Sequence, residues 1–196
     1  MQSIRANCGA AIEAACAVSS VPPEFLAALI ANESAGNPNA KRFEKNVLLE
    51  LWDVLMGRAA SFGSIDHDEI LEFLFTDTAT TVSRPSGWIS TVLQHLDFLA
   101  TSWGLTQIMG YEAIALGVPV FSIQSSATNP QIACRMLADF ADRSGLDVKK
   151  DFSELFDCWN SGRPHARTAD PQYIPNGLAR MAIYKNLEDP PKAMSA

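Results

Sequence analysis

One glutamate lies where a carboxyl group could act as an acid. A helix is predicted from Pro23 to about Ser34, because hydroxyls, two prolines and an acid mark its start. At about 100° per residue, Glu33 falls in the middle of the apolar stripe that contains Phe25 and Leu29. Burial raises the pKa of a carboxyl group, and a raised pKa suits a general acid near neutral pH. The alternative is that the helix has ended by this residue, which leaves the carboxylate in solvent at the end of the helix dipole that disfavours negative charge.

Three short blocks follow one another in the order typical of a known superfamily. Glu33 opens Glu-Ser-Ala-Gly-Asn-Pro-Asn-Ala, Ser102 opens Ser-Trp-Gly-Leu-Thr-Gln-Ile-Met-Gly, and Trp159 opens Trp-Asn-Ser-Gly, which Tyr173 follows. These blocks resemble the E-S-x-G-N-P-x-A, G-L-M-Q-I-M and Y-N-A-G … Y blocks of the soluble lytic transglycosylases and goose-type lysozymes. The resemblance places the chain in the lysozyme-like superfamily.

Within that superfamily, the chain is most similar to the N-acetylmuramidase-type phage endolysins. They pair S-W-G-x-x-Q-I-M-G with an upstream F-E, which is Phe43-Glu44 in this sequence. The long spacing from Glu33 to Gln107 also fits this branch. The chain departs from the family at Trp159, where Tyr is usual, so the sugar cleft is expected to differ in detail.

The resemblance implies a peptidoglycan glycosidase. Such an enzyme cleaves the β-1,4 bond between N-acetylmuramic acid and N-acetylglucosamine, and Glu33 would be its general acid. Hydrolysis with inversion also needs a carboxylate that activates water. The resemblance assigns this role to Glu44, with Glu50 and Asp53 as the reserves.

Three alternatives to a muramidase stay open, and the first is a glycosidase that acts on chitin, which shares the N-acetylglucosamine units. Glu44 lies among basic residues, so it could be an ordinary surface ion-pair residue. Without a second carboxylate in place, the muramoyl hydroxyl would attack and give an anhydro sugar, as in lytic transglycosylases. The third alternative is a wall-binding or virion protein that keeps the fold without catalysis.

Further residues of the same blocks are expected to line the sugar groove. The resemblance gives substrate-binding roles to Ser34, Gln107, Ile108, Met109, Trp159, Asn160 and Tyr173. Amide groups suit the N-acetyl and hydroxyl groups of the substrate, and flat aromatic rings suit the faces of sugars. For each aromatic ring, a place in the hydrophobic core is the alternative.

The elements that would position these residues are predicted to be helices. Apolar spacing and end signals predict helices at 4–18, 23–34, 47–56, 66–75, 88–99, 106–116, 129–143, 148–159 and 176–185. The polar segment 76–87 is predicted to be a loop or a short hairpin. The expected fold class is therefore mainly α: a lysozyme-like helical domain with at most a small β-hairpin or loop region.

Composition limits the organisation and the ligands. The 196 residues are 47% hydrophobic and 19% charged, which suits a single catalytic domain over 1–196. We expect an N-terminal helix within 1–20 and a frayed tail at 189–196. The net charge of −7 and the lack of a basic cluster argue against nucleic acid as a partner. The four cysteines are widely spaced without C-x-x-C, so no metal and no cofactor is expected, and both disulfides and free thiols stay open.

The route to the wall is a further expectation. No secretory signal or membrane span is visible in the sequence, so no membrane insertion is expected. The partners expected are the glycan strands of peptidoglycan, bound by a monomer. The chain would be made in the cytosol and act on the wall or in the periplasm as a phage endolysin or an exported effector, unless a leader was removed.

Overall fold

The chain forms helices joined by very short strands, and the computed structural model describes residues 1–78 and 88–188. The helices are α1 (Gln2–Ala17), α2 (Pro23–Glu33), α3 (Lys45–Leu55), α4 (His67–Thr78), α5 (Trp88–Leu99), α6 (Gly110–Ala115), α7 (Asn129–Ser144), α8 (Phe152–Ser161) and α9 (Tyr173–Glu188). A short 3-10 helix, Val120–Gln124, precedes α7. The expected mainly α class is confirmed.

Within residues 1–78 and 88–188, two small antiparallel sheets accompany the helices. The first has three strands, β1 (Lys41–Phe43), β4 (Thr101–Trp103) and β5 (Ile108–Met109), with β4 in the middle. The second is a hairpin of β2 (Ser61–Phe62) and β3 (Ile65–Asp66). The loop or hairpin predicted at 76–87 is wrong at its start, because α4 continues to Thr78. The rest of that prediction, like the predicted tail at 189–196, lies outside the described residues.

Two predicted helices begin later than expected. The helix predicted at 106–116 starts only at Gly110, because Gln107 has a φ of 55° and the next two residues pair with β4. The helix predicted at 148–159 starts at Phe152. The residues just before Phe152 form a turn, because the Asp147 side chain accepts a hydrogen bond from the Lys149 N–H (2.9 Å).

The described residues form two hydrophobic core clusters. The larger one joins α1, α2, α7, α8 and α9, and α2 lies at its centre with residues 25–30 all 0% exposed. The smaller one joins α3, α4 and α5 through Leu51, Ile70 and Leu96. Because both α1 and α9 pack on α2, Ala27, which lies outside the predicted apolar stripe, is also buried. No helix within the described ranges has the length and hydrophobicity of a membrane span.

None of the four cysteines, all of which lie in the described part of the chain, forms a disulfide in the structure. Cys8, Cys134 and Cys158 are buried in the larger cluster, and Cys16 packs partly buried against it. A hydrogen bond with the Cys16 thiol lowers the pKa of Cys134. Of the two possibilities left by the sequence, the structure therefore has the reduced one.

A buried asparagine fixes the segment between β4 and β5. The Asn129 Oδ1 accepts hydrogen bonds from the N–H (3.0 Å) and the Oγ1 (2.8 Å) of Thr106. Its Nδ2 donates to the carbonyls of Trp103 (3.1 Å) and Ile123 (2.8 Å). Asn129 is 0% exposed, so all four bonds form away from solvent. This one side chain therefore satisfies three backbone groups that would otherwise be buried without partners.

Replacing Asn129 with Ala is expected to lower the free energy of unfolding by about 2–4 kcal/mol, because buried polar groups of Thr106, Trp103 and Ile123 lose their partners. Urea denaturation of the variant measures this loss. Asn176→Ala, on the exposed surface of α9, is the matched control. Equal stability of the two variants would contradict the bracing role of Asn129.

Candidate active site

Glu33 is the last residue of α2, where the helix is anchored to the sheet region. The next residue, Ser34, ends the helix, and its N–H donates to the Ile30 carbonyl (3.1 Å). The Ser34 Oγ donates to the Leu105 carbonyl (2.7 Å), in the segment between β4 and β5. Gly36 follows with a φ of 82°, in the left-handed region that glycine adopts without strain. The position of Glu33 is thus fixed from both sides.

The Glu33 carboxyl group is largely shielded from water. Desolvation by burial raises its pKa, while a hydrogen bond from the Tyr173 hydroxyl and the positive charge of Arg42 lower it by less. The C-terminal end of a helix also disfavours negative charge. The helix does end at Glu33, as one sequence interpretation held, but the side chain is not left in bulk solvent.

Tyr173 begins α9 and is held against the end of α2 by several contacts. Its hydroxyl donates to the Oε1 of Glu33, and its backbone carbonyl accepts a hydrogen bond from the Asn32 Nδ2 (3.0 Å). The Asn32 Oδ1 in turn accepts from Arg180. The Tyr173 ring packs edge to face on Phe156, with 6.0 Å between ring centroids. Burial and the adjacent carboxylate raise the pKa of Tyr173, so its hydroxyl keeps the proton that it donates.

One side of the sheet carries Arg42, whose charge acts on Glu33. Arg42 pairs directly with Ser102, and Ser102 pairs directly with Met109. Because directly paired residues project to the same side of a sheet, these three share one face. Gln107 joins them, since the Ser102 Oγ donates to its Oε1 (2.9 Å). We call Arg42, Ser102, Gln107 and Met109 the polar sheet face; the charge of Arg42 acts on Glu33.

Glu44 is connected to this face through an ion pair. The Arg42 Nε lies 2.5 Å from the Glu44 Oε1, and the Glu44 side chain is 35% exposed. Its backbone N–H donates to the Ala100 carbonyl (2.9 Å), which fixes it at the start of α3. Arg42 thus interacts with both Glu33 and Glu44. Glu50, the first of the two reserve carboxylates, is exposed on α3.

The second reserve, Asp53, has its own partner. The Arg58 Nη2 and Nε lie 2.5 Å and 2.7 Å from the Asp53 Oδ1. This pair closes the C-terminal end of α3, where the Asp53 carbonyl also accepts from the Arg58 N–H (2.8 Å). Asp53 therefore stabilises a helix end in the structure.

Three residues expected to bind sugar have other surroundings. Ile108 is 1% exposed and belongs to the larger core cluster, so its side chain supports β5 from behind. Trp159 is half-buried and packs edge to face on Phe140 of α7, with centroids 6.4 Å apart. Asn160 is exposed, and its Oδ1 accepts a hydrogen bond from the Ser161 Oγ (3.4 Å). The contacts of Trp159 and Asn160 are thus with residues other than Glu33.

Sequence reasoning missed the role of Arg42. The sequence predicts only that Glu44 lies among basic residues and could form an ion pair, and the pair with Arg42 is present. Arg42 lies in β1, two residues before Glu44, and side chains two residues apart in an extended strand project to the same side. This alternation was the available signal. Asn32 and Arg180, which hold Tyr173, carry no such signal because they lie 148 residues apart.

No protein-family model, curated protein or solved structure matches the chain. The functional assignment consequently depends on the geometry described above and on the residues of the sequence blocks.

Glu33→Gln is expected to change stability in a pH-dependent way. Because the pKa of Glu33 is raised in the folded chain, ionisation of this group favours the unfolded chain. The neutral carboxyl group therefore contributes fully to the free energy of unfolding below the pKa of an unfolded glutamate, and this contribution is lost as pH rises through the folded pKa. The stability of Glu33→Gln relative to the native chain should therefore increase from pH 4 to pH 7.5. Urea denaturation at both pH values measures this difference. The exposed Glu50→Gln controls for the loss of one charge; the same pH dependence in both variants would contradict the prediction.

Proposed function

We propose that this protein is a peptidoglycan glycosidase that cleaves the bond between N-acetylmuramic acid and N-acetylglucosamine. The observation that carries the proposal is the Glu33 carboxyl group, which burial keeps protonated to higher pH and which the Tyr173 hydroxyl holds in place. The charge of Arg42, on the polar sheet face, acts on this carboxyl group, and the order of the three sequence blocks agrees with the same chemistry.

Glu33 supplies the proton in this mechanism. Cleavage of a glycosidic bond passes through an oxocarbenium-like transition state, and the leaving oxygen needs a proton. Because Tyr173 donates to Oε1, the proton of the neutral acid is carried on Oε2, which can give it to the sugar oxygen. Once Glu33 is a carboxylate, the Tyr173 hydroxyl and the charge of Arg42 stabilise it.

Glu44 activates water in the hydrolytic form of the mechanism. An inverting glycosidase needs its second carboxyl group about 6.5–9.5 Å from the first, which leaves room for a water molecule. To act as the base, Glu44 must be a carboxylate, and its ion pair with Arg42 is an interaction that a carboxylate makes. The partial exposure of Glu44 gives it access to water.

Gln107 and Ser34 have different roles in the proposed site. The Gln107 Nε2 donates to the Gly104 carbonyl (2.9 Å), and its Oε1 accepts from Ser102. One amide hydrogen and one lone pair remain for an N-acetyl group. Met109 is half-buried on the same face and offers apolar surface to a sugar ring. Ser34 is committed to backbone partners and acts by fixing the end of α2.

One observation favours lytic transglycosylation as the second candidate. The Glu44 Oε1 is occupied by Arg42 at 2.5 Å, which competes with a water molecule for that oxygen. If Glu44 does not activate water, the muramoyl hydroxyl attacks instead, with Glu33 as the only acid. The products then carry an anhydro ring.

Mass spectrometry of purified sacculi after digestion tests both candidates. Hydrolysis gives muropeptides with ordinary reducing ends, which is the expected result. Anhydro-muramoyl products would move the protein to the transglycosylase branch. If no glycan fragments are released under any condition, the proposal is wrong and the fold serves wall binding or assembly.

Tyr173→Phe is expected to lower kcat about tenfold, which corresponds to about 1.4 kcal/mol of transition-state stabilisation. The variant keeps the ring and loses the hydroxyl that positions Glu33. That hydrogen bond lowers the pKa of Glu33, so its loss should also shift the basic limb of the pH–activity profile to higher pH.

Tyr111→Phe is the matched control for this experiment, because the Tyr111 hydroxyl bonds a different partly buried glutamate, Glu112. It should leave the pH profile unchanged. A shift in the Tyr111 variant, or none in the Tyr173 variant, would contradict the positioning role of Tyr173.

A further inference from the structure

One buried carboxylate in the structure has an unused oxygen. Asp157 lies on α8 and is only 7% exposed, and its Oδ1 has no hydrogen-bond partner among the described residues. A buried acceptor left without a partner costs about 1–3 kcal/mol, and more when it is charged. Its neighbours along the chain, Leu155, Phe156 and Cys158, are all 0% exposed.

Asp157 lines a cavity with a volume of about 380 Å³. The cavity is closed on its other side by the segment between α8 and α9, including His165, Arg167 and Thr168, and by Ile174 of α9. Its volume falls within the range of sites that bind small molecules. His165 and Arg167 are exposed, so they form the mouth, while Asp157 forms the buried end.

The cavity adjoins the Glu33 site through two neighbouring pairs of residues. Ile174 follows Tyr173, whose hydroxyl donates to Glu33. Asp157 follows Phe156, whose ring packs on the Tyr173 ring. The cavity therefore borders the residues that directly follow Tyr173 and its ring partner Phe156 in the chain.

The charges of the cavity select the chemistry of its ligand. An unpaired carboxylate oxygen is best satisfied by a charged N–H donor, and an ammonium group supplies one in a compact form. At the mouth, Arg167 offers a guanidinium group, which suits a carboxylate. A buried negative charge and a positive charge at the mouth together fit a group that carries an ammonium next to a carboxylate.

We propose that this cavity binds the free ammonium and carboxylate of the diamino acid in the peptide stem of peptidoglycan. The inference rests on the proposed function. The peptide is attached to the muramoyl residue, which is one of the two sugars at the cleaved bond, so it leaves the glycan close to Tyr173. Asp157 accepts from the ammonium, and Arg167 holds the carboxylate. The site thus recognises the wall through its peptide as well as its sugars.

Calorimetric titration of the native chain with a sugar-free stem peptide tests this site. The probe is the tetrapeptide L-alanyl-γ-D-glutamyl-meso-diaminopimelyl-D-alanine. We expect saturable binding that weakens at least tenfold when the side-chain ammonium of the probe is acetylated. Asp157→Asn should weaken binding to the same extent, and Arg167→Gln should weaken it at least threefold. Asp170→Asn is the matched control: its Oδ1 accepts from the Gln172 N–H, and it does not line the cavity.

Each result decides the inference. No binding of the peptide, or equal binding of its acetylated form, overturns it, and so does full affinity in Asp157→Asn. If free diaminopimelate binds as tightly as the tetrapeptide, the cavity is a site for the free amino acid and the stem assignment is wrong. If Asp157→Asn does not fold, the acetylated probe on the native chain and the exposed Arg167→Gln variant still decide. Cleavage of glycan strands stripped of peptide tests the proposed function separately, so the two failures are distinguishable.

Discussion

Glu33→Gln is expected to lower the rate of peptidoglycan cleavage by roughly 10²–10⁴-fold, the contribution of a positioned general acid. Glutamine keeps the size of the side chain and can still accept the hydrogen bond from Tyr173, but it has no proton to give. The rate of release of soluble muropeptides measures the effect, and circular dichroism verifies that the fold is intact.

The matched control for Glu33→Gln is Glu112→Gln. Glu112 is also a glutamate whose pKa is raised by burial, and it also bonds a tyrosine hydroxyl, but its partners are Tyr111 and Arg143. Full activity in Glu33→Gln would remove the basis of the proposed mechanism. Equal losses in both variants would mean that the activity falls with the structure and not with the acid.

Glu44→Gln should lower the rate of hydrolysis at least about a hundredfold, because water then lacks its general base. The amide removes the ability to accept a proton and weakens the ion pair with Arg42. The measurement combines the rate of muropeptide release with the proportion of reducing and anhydro ends. A small loss with anhydro products would show that Glu33 works without Glu44.

Asp53→Asn provides the comparison for Glu44→Gln, since Asp53 also forms an ion pair with an arginine at an end of α3. It is expected to change the rate less than threefold. A hundredfold loss in Asp53→Asn, with little loss in Glu44→Gln, would transfer the role of the base to Asp53.

Much of the helical framework could be predicted from the sequence because it depends on local signals. The start of α2 follows from its prolines, and α5 has the predicted bounds. The strands were missed because two or three residues are too few to display an alternating pattern. The turn at Gln107 was missed for a related reason: a positive φ at a non-glycine residue has no sequence signature.

The candidate site was only partly predictable for a different physical reason. Glu33 could be identified because one apolar stripe surrounds it in the sequence. Its partner Tyr173 is 140 residues away, and only the packing of α9 on α2 brings the two together. Asp157 gave no signal, since the sequence alone does not distinguish an acid aimed into a cavity from one that faces water.

The long separation between Glu33 and Tyr173 has a consequence during synthesis. A ribosome produces α2 early and α9 only after all the other described helices. Until α9 has left the exit tunnel, the nascent chain has no hydroxyl to orient the acid, and one side of α2 is uncovered. A chain that terminates before residue 173 therefore lacks both the hydroxyl that holds Glu33 and the helix that packs on α2.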